Sequence, residues 1–510
     1  MGERVIGGSK QSHDSVKLLI VALCIFFVLS QVTIFIIDRS PWFDTAFSAE
    51  TVEYLRSNGL TSINWGHYDV HPATSYILMY FWSFLNPGMG GFHWLQELSV
   101  VFMLGFFVFV YLSLRELFGR PGEWATVSLA CLTTYAHYGT EVRMYSLLMM
   151  VSAVCFYAAV RRFEGKWLWI AMGAAFMLPM THYIAVIAVV YAMMVYMIVG
   201  QKWYDGKLLL VGGSATIGVV ISAMLFAIPQ YLRIDRLWFF TMDMSSWPSS
   251  LLFGFFYPLG SGILPVIVYI GFLILLCIFG YLAFNLVMKM IEGKADDQEC
   301  ILLLMGSVAI VTAVGIELSK IVPVYHHRFF LVILWMFAAM VFVVFWKWVY
   351  GWWEDFDSFK TGWLLFAVPA IIVVFAVVGG MFVQYATHQQ RELERIESSI
   401  PCQVKDQQLV VAEELWSMLP FRVYARENDC NWRIDVSTNL TKRQANSQGY
   451  DVVLSEDIYW DRTVPNESFW YAYGGSCGND SECLGLFENR TSTIVRKDMG
   501  ISLIYVGARQ

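Results

Sequence analysis

The segment LLIVALCIFFVLSQVTIFII (Leu18–Ile37) contains no charged residue, and the polar segment DRSPWFDTAFSAETVEYL (38–55) follows it directly. An uncharged apolar run of about 18 or more residues is long enough to cross a bilayer as a helix. The polar segment then brings Asp38, Asp44 and Glu50 to the membrane boundary. Because ionisable groups at a membrane are costly, they are usually functional. The junction therefore predicts a membrane protein whose first loop carries functional carboxylates.

The composition extends this prediction to the whole chain. Of its 510 residues, 57% are hydrophobic and only 15% are charged, whereas soluble domains carry about 25% charged residues. No clustered basic patch of the kind that binds nucleic acid is present, and no small-residue cleavage site follows the first apolar run, which we expect to remain as an anchor. We predict about eleven membrane spans, at 17–37, 97–114, 124–139, 144–160, 167–180, 183–200, 208–228, 262–288, 301–317, 328–346 and 361–384.

The basic residues between these spans fall in alternate loops, which is the pattern of cytoplasmic loops. It predicts a cytoplasmic N-terminus, an outer C-terminus, and outer loops at 38–96, 140–143, 229–261 and 318–327. Two places complicate the span count. Trp167–Gly200 has no Asp, Glu, Lys or Arg and would be about 51 Å long as one helix, so we divide it at Pro179–His182. His71–Leu85 is apolar but short, which favours a re-entrant or interfacial segment.

Residues 385–510 are more polar and contain short segments of alternating hydrophobicity. They predict a small extracytoplasmic α/β domain beyond a transmembrane domain of residues 1–384. Its expected strands are Gln408–Val411, Trp432–Val436, Tyr450–Leu454 and Ser502–Val506, and Glu413–Arg426 has helical spacing.

The same region has the features of an exposed glycoprotein domain. Its four cysteines are an even set, which favours disulfides in an oxidising compartment. Three pairings are possible, and the short loop between Cys477 and Cys483 favours that pair, leaving Cys402 with Cys430. Four N-x-S/T sequons are candidate glycosylation sites, at Asn439, Asn466, Asn479 and Asn489.

The outer loops and the adjoining helix ends collect most of the unusual ionisable and polar residues. A carboxylate beside arginine or histidine can take a proton from a hydroxyl while the cations stabilise an anionic leaving group. Arginine at a membrane face is also suited to a lipid phosphate. The sequence therefore predicts an outer-face site for an anionic, lipid-linked substrate. The candidate residues are Asp44, Glu50, Asp69, His71, Glu141, Arg143, Tyr145, His182, Tyr183, His326, His327 and Arg328.

Five short motifs resemble, in order, those of the GT-C superfamily of membrane glycosyltransferases. The run TYAHYGTEVRMYSLLMM (134–150) resembles the E-A-R-M-Y-S-L-L signature of the branch that includes protein O-mannosyltransferases and lipid A aminoarabinose transferases. The other motifs are similar to W-x-D-E, D-x-H-P-P, T-H-Y and R-Y-hydrophobic elements, and they are Pro41–Trp42–Phe43–Asp44, Asp69–Val70–His71–Pro72, Thr181–His182–Tyr183 and His327–Arg328–Phe329–Phe330.

This resemblance implies a polyprenyl-phosphate sugar donor, such as dolichyl-phosphate mannose, and a single inverting displacement at the anomeric carbon. It implies that Asp44 is the base that deprotonates the acceptor hydroxyl. Arg143 and Arg328, with His326 or His327, would hold the donor phosphate, and Glu141 would orient Arg143 or contact the sugar. The acceptor would be a protein or a lipid-linked glycan. The sequence departs from the family pattern at Thr45, which replaces a glutamate, and at Ala73, which replaces the second proline.

Several alternatives remain open at this point. Asp44 is also a suitable helix cap before residues 45–55. His67, Asp69 and His71 supply oxygen and nitrogen donors for a divalent metal. A transporter of lipid-linked sugars would also act at a membrane, although it would be expected to carry paired half-repeats and charge at mid-membrane. A receptor or scaffold needs only the outer domain, and about eleven spans exceed what an anchor requires.

Overall fold

The computed structural model describes two compact units, each taken separately below. The first is formed from Met1–Val32, Ser99–Met224 and Arg236–Val383, and the second from Thr33–Leu98, Leu225–Asp235 and Gln384–Gln510. Within them the structure describes residues 10–34, 43–63, 71–85, 92–201, 205–231, 250–251, 280, 284–285, 287–289, 291–292, 294–318, 327–355, 400–402, 408–412, 421, 424–425, 430–436, 469–474, 492–498 and 501–506.

The described part of the chain is mostly helical. Short 3-10 turns at Leu60–Ser62, Tyr183–Ala185 and His327–Phe330 precede, separate or follow the helices. In chain order the helices are α1 (Lys10–Val32), α2 (Phe43–Asn58), α3 (Thr74–Ser83), α4 (Phe92–Phe118), α5 (Arg120–Ala130), α6 (Thr133–Thr140), α7 (Tyr145–Val160), α8 (Lys166–Thr181), α9 (Val186–Gly200), α10 (Gly206–Ser222), α11 (Ile228–Tyr231), α12 (Asp297–Gly306), α13 (Val308–Leu318) and α14 (Leu331–Asp355).

Within the described residues, five helical segments are long and apolar enough to cross a membrane, and the bent pair α6–α7 would be a sixth if it forms one span. The predicted multi-pass membrane protein is confirmed. The count of about eleven stays a prediction, because 361–384 and most of 262–288 lie outside the described residues. The five segments are Phe92–Phe118, Tyr183–Gly200, Gly206–Ala227, Asp297–Leu318 and Arg328–Tyr350.

The candidate span at 124–139 is interrupted and is not one continuous helix. Helix α5 ends at Ala130 and α6 begins at Thr133, with Leu132 in an extended conformation between them. The amides of Cys131 and Leu132 donate to carbonyls three residues earlier, at 3.2 and 3.0 Å, which tightens and ends α5. The two β-branched residues that follow, Thr133 and Thr134, favour helix less than most residues do. A new helix, α6, therefore begins shortly before the bend that contains several of the candidate residues.

The predicted break at Pro179–His182 is present. Helix α8 contains Pro179 and ends at Thr181, and His182 is extended (φ −159°, ψ 133°). Ser222 of α10 donates its hydroxyl to the Pro179 carbonyl at 2.9 Å, which satisfies an acceptor near the helix end. One turn earlier in α10, Gly218 lies so close to α8 that an added Cβ would stand 2.6 Å from the Phe176 carbonyl oxygen. A small residue at 218 is thus what lets α8 and α10 approach.

We expect Gly218→Ala to lower the thermal unfolding temperature of the purified protein, because the backbone of α8 has to move to admit the methyl group. The matched control is Gly213→Ala in the same helix, where an added Cβ meets no atom within 4 Å. Alanine is favoured over glycine inside a helix by about 0.5–1 kcal/mol, so Gly213→Ala should leave the midpoint unchanged or raise it. Equal midpoints for the two variants would contradict the close approach.

In the second unit, aromatic contacts hold the helices that follow the first predicted span. Phe47 of α2 packs edge-on against Tyr76 of α3, with ring centroids 6.4 Å apart. Trp82 of α3 stacks on Trp94 at the start of α4 at 4.8 Å. Each indole N–H donates to the other residue's carbonyl, at 2.8 and 3.1 Å. The segment predicted as the first outer loop therefore contains two helices, of which α2 includes the expected helix near 45–55.

The second unit also contains a five-stranded sheet with order β2-β1-β3-β5-β4. β1 is parallel to β2 and β3, and β5 is antiparallel to β3 and β4. The three expected strands at 408–411, 432–436 and 502–506 correspond to β1, β2 and β5. Tyr450–Leu454 and most of Glu413–Arg426 lie outside the described residues. The strands are β1 (Gln408–Ala412), β2 (Trp432–Val436), β3 (Phe469–Gly474), β4 (Ser492–Asp498) and β5 (Ile501–Val506).

A disulfide joins Cys402 to Cys430 beside the start of β2. It packs against a small apolar core that includes Phe421 and Trp432, and the Trp432 indole donates to the Pro401 carbonyl at 2.9 Å. Six further residues of the sequence prediction lie outside the described part of the chain: Cys477, Cys483, Asn439, Asn466, Asn479 and Asn489.

Candidate functional site

The candidate site in the first unit is built on a bend between α6 and α7, whose axes differ by 113°. Helix α6 ends at Glu141, whose backbone is extended (φ −69°, ψ 129°). The Glu141 amide donates the last hydrogen bond of the helix, to the His137 carbonyl at 3.1 Å. The Thr140 hydroxyl donates to the same carbonyl at 2.9 Å. From α4, the Ser99 hydroxyl donates to the Glu141 carbonyl at 2.8 Å. The bend is therefore held by side chains on both of its sides.

Two charged side chains of the bend are buried. Glu141 is 7% exposed and Arg143 is 6% exposed, and the Arg143 amide donates to the Glu141 carbonyl at 2.8 Å. Helix α7 begins directly afterwards, and its N-cap residue, Met144, provides no side-chain hydrogen bond to the helix. The start of an α-helix carries a partial positive charge. Arg143 and the α7 N-terminus thus combine two features that favour an anion at one place.

A second arginine reaches this place from the 3-10 turn that precedes α14. The Arg328 guanidinium lies over the Tyr145 ring, 5.9 Å from the ring centroid, and Tyr145 packs edge-on against Tyr138 at 5.3 Å. The structure therefore brings together Arg328, Tyr145 and the last turn of α6, as the sequence predicted for the first two.

His182 enters the same unit from the break after α8. Its side chain is 3% exposed, its ring lies 4.6 Å from that of Phe329, and its Nδ1 accepts from the Ile184 amide at 3.3 Å. Because Nδ1 is an acceptor, the neutral ring carries its proton on Nε2. His182 is thus placed beside the residue that follows Arg328, and its neighbour Tyr183 begins the 3-10 turn.

The remaining predicted residues divide between the second unit and the part of the chain that is not described. Asp44 lies in the first turn of α2, where the structure describes its backbone and not its side chain. Glu50 and His71 are each 6% exposed. Asp69 and His326 lie outside the described residues, and His327 is described only as part of its 3-10 turn.

Sequence reasoning missed several residues of this site. His137 and Tyr138 lie inside the run that carried the resemblance, and His137 is one helical turn before Glu141, a spacing that places both on one helix face. Two further buried hydroxyls flank the bend, and among the described residues neither has a hydrogen-bond partner: Tyr135 Oη and Ser146 Oγ. Buried hydroxyls are usually satisfied, so these two are candidates to contact a bound group.

Among the described residues, no group of three His, Cys, Asp or Glu side chains is placed to hold a divalent metal. His67 and Asp69, which the sequence offered with His71 as metal donors, are outside that part of the chain.

No family model and no curated protein sequence matches this chain. The crystal structure of ArnT from Cupriavidus metallidurans in the apo state has a TM-score of 0.56 and 13% sequence identity, covering 98% of each chain. The structure of the same protein bound to undecaprenyl phosphate also has a TM-score of 0.56, with 14% identity over 96% of this chain and 97% of that one.

The archaeal oligosaccharyltransferase AglB from Archaeoglobus fulgidus, in complex with an inhibitory peptide and a dolichol-phosphate, has a TM-score of 0.46 and 10% identity, covering 82% of this chain and 64% of that one. ArnT, an aminoarabinose transferase, and AglB are both members of the GT-C superfamily. The resemblance inferred from the sequence motifs is confirmed at the level of the fold: the chain is similar in fold, over nearly its whole length, to the GT-C protein ArnT.

Proposed function

We propose that this protein is a glycosyltransferase that moves a sugar from a polyprenyl-phosphate donor to a hydroxyl group. One observation carries the proposal: two arginines and an α-helix N-terminus without a side-chain cap converge within the first unit, at Arg143, Arg328 and Tyr145. Such an arrangement favours a phosphate group, and a membrane protein meets phosphate chiefly on lipids. The similar fold of ArnT, whose structure has been solved with undecaprenyl phosphate, supports the lipid-linked donor.

In the proposed reaction the acceptor oxygen attacks the anomeric carbon of the sugar while the bond from that carbon to the phosphate oxygen breaks. Asp44 takes the proton of the acceptor hydroxyl, and the polyprenyl phosphate leaves with the electron pair. Arg143 and Arg328 hold the phosphate as its charge develops, with His326 or His327 beside them. Glu141 orients Arg143 or contacts the sugar. Since the displacement is single, the anomeric configuration inverts.

Five more residues have secondary roles in this proposal. Glu50, Asp69 and His71 lie on the same loop as Asp44 in sequence and would support the acceptor side, while His182 and Tyr183 would contact the sugar or the phosphate. The buried hydroxyls of Tyr135 and Ser146 support a polyhydroxylated ligand. The sugar would be a hexose such as mannose, and the acceptor a protein or a lipid-linked glycan. A divalent metal at Asp69 and His71 remains an alternative.

We further propose that the reaction takes place on the outer face of the membrane. The alternation of basic loops supports a cytoplasmic N-terminus. The disulfide between Cys402 and Cys430 supports an oxidising compartment for residues 385–510, where Cys477–Cys483 would form the second disulfide and the four sequons would be glycosylated. Residues 1–384 would then form the catalytic membrane domain, in a plasma membrane or endoplasmic-reticulum membrane.

The test is transfer of radiolabelled sugar by the purified wild-type protein in vesicles, from dolichyl- and undecaprenyl-phosphate sugars to peptide and glycolipid acceptors. We expect transfer from at least one donor, with inversion, and inhibition by the sugar-free polyprenyl phosphate. Absence of transfer from every donor, together with movement of lipid-linked sugar across the vesicle membrane, would establish the transporter alternative instead.

A further inference from the structure

Arg143 lies just before α7 and Arg328 just before α14, and the Arg328 guanidinium lies over the ring of Tyr145, the first residue of α7. A cation lying on an aromatic ring is a weak and broad interaction. A hydrogen bond is more directional and fixes the register of two helices more sharply.

Such a contact lies two helical turns further along. The Ser152 hydroxyl of α7 donates to the Val332 carbonyl of α14 at 2.8 Å. The Trp335 indole N–H donates to Ser152 Oγ at 3.2 Å and to the Val332 carbonyl at 3.0 Å. All three residues are fully buried in a membrane protein, where polar groups have no water to replace a lost partner.

The spacing connects this contact to the site. Ser152 is seven residues after Tyr145 and Trp335 is seven residues after Arg328. Seven residues make about two turns of helix, or about 10 Å. The Ser152–Trp335 contact and the Tyr145–Arg328 contact are therefore successive contacts between α7 and the continuous segment formed by the 3-10 turn and α14, and the first is the more directional.

Neighbouring rings hold the Trp335 indole in place. Phe156 of α7 and Phe106 of α4 pack edge-on against it, at 5.3 and 5.7 Å. Phe106 in turn stacks on Tyr135 of α6 at 5.8 Å. The indole thus connects α7 and α14 to the helix that precedes the bend.

We propose that Ser152 and Trp335 are positioning residues, which set the register of α14 against α7 and thereby hold Arg328 for the donor phosphate. This inference rests on the proposed function, because it gives Arg328 a phosphate to hold. Neither residue touches the substrate. Their effect would be on donor binding, through Arg328.

The chain contains a matched control. Trp346, further along α14, donates its indole N–H to Ser128 of α5 at 3.0 Å and packs on Trp124 at 5.2 Å. It is the same type of serine–tryptophan hydrogen bond made by the same helix, eleven residues beyond Trp335. Trp335→Phe and Trp346→Phe each remove one indole N–H and keep an aromatic ring.

We expect Trp335→Phe to raise the KM for the polyprenyl-phosphate sugar about five- to tenfold, the scale of one buried hydrogen bond, with KM for the acceptor unchanged. Trp346→Phe should leave both KM values within about twofold, although both variants lower the unfolding midpoint. Ser152→Ala and Ser128→Ala form a second matched pair if a tryptophan variant does not fold. In an Arg328→Ala background Trp335→Phe should add no further increase, because its effect passes through Arg328.

Equal effects of Trp335→Phe and Trp346→Phe on donor KM, or an undiminished effect in the Arg328→Ala background, would overturn the positioning role while leaving the proposed function intact. Wild-type protein that transfers sugar from no polyprenyl-phosphate donor would overturn the proposed function, and this inference with it.

Discussion

Replacing Asp44 with asparagine is expected to lower kcat for sugar transfer by about 100- to 10,000-fold, the usual contribution of a general base. Asparagine has nearly the shape of aspartate but cannot accept the acceptor's proton. The affinity for the donor, measured by competition with sugar-free polyprenyl phosphate, should be unchanged, because the proposed phosphate ligands are Arg143 and Arg328. The measurement is kcat and donor affinity for the purified variant in vesicles.

The same substitution separates catalysis from helix capping. Asp44 stands in the first turn of α2, where a carboxylate favours the helix, and asparagine is about as good a capping residue as aspartate. If Asp44 only caps α2, Asp44→Asn should therefore leave both the transfer activity and the unfolding midpoint close to those of the wild type. Full transfer activity in Asp44→Asn would remove Asp44 from the mechanism.

A carboxylate on the same helix provides the control for this variant. The Glu53 side chain is 43% exposed and pairs at 3.5 Å with Arg56, which is 21% exposed, and an ion pair that water can reach contributes little to stability. Glu53→Gln should therefore keep wild-type kcat and midpoint. A loss of activity in this control comparable to that of Asp44→Asn would show that charge on α2 in general, and not one base, is required.

The membrane architecture could be predicted because the bilayer imposes strong rules on sequence. Long uncharged runs must be helical, so the predicted spans at 97–114, 183–200, 208–228 and 328–346 fall on α4, α9, α10 and α14, whose ends differ from the predicted ends by up to nine residues. Pro179 also marked a real break, because a proline removes a helix hydrogen bond. The interruption at Leu132 was missed, since it arises from tightened hydrogen bonds at the end of α5 within a sequence that is apolar on both sides. Strand β3 was missed because it pairs with the distant β1. Strand β4 was missed although it pairs with its neighbour β5, because its sequence STIVRKD does not alternate between apolar and polar residues.

The site was predicted in part, for a similar reason. Charged residues at helix ends are visible in a sequence. In the first unit, Glu141 and Arg143 lie in the bend, and Arg328 lies over the ring of Tyr145 at the start of α7. Contacts made through backbone carbonyls and ring faces leave no sequence pattern. The Ser99 hydroxyl on the Glu141 carbonyl and the Ser152–Trp335 hydrogen bond join residues 42 and 183 positions apart, and only the folded chain brings them together.

Arg143→Gln is expected to lower kcat/KM for the donor by about 100- to 1,000-fold, the scale seen when one donor to a developing negative charge is removed. Arg143 is buried and directly precedes the N-terminus of α7, so no solvent ion can replace it. Arg143→Lys keeps the charge but loses the planar pair of N–H groups that matches phosphate, and it should have an intermediate activity. Initial rates measured against donor and acceptor separately will show whether the loss is confined to the donor.

An exposed arginine on the same unit supplies the comparison that makes this result specific. Arg161 follows α7 and pairs with Glu116 at 3.0 Å, with both side chains more than a third exposed. Its replacement by glutamine removes the same charge and the same fork of N–H groups, yet a surface pair of this kind contributes at most about 1 kcal/mol. Donor kinetics should therefore stay at the wild-type level in Arg161→Gln. If Arg143→Gln instead changes the acceptor KM, or lowers only the unfolding midpoint, then Arg143 supports the bend structurally and the donor phosphate is held elsewhere.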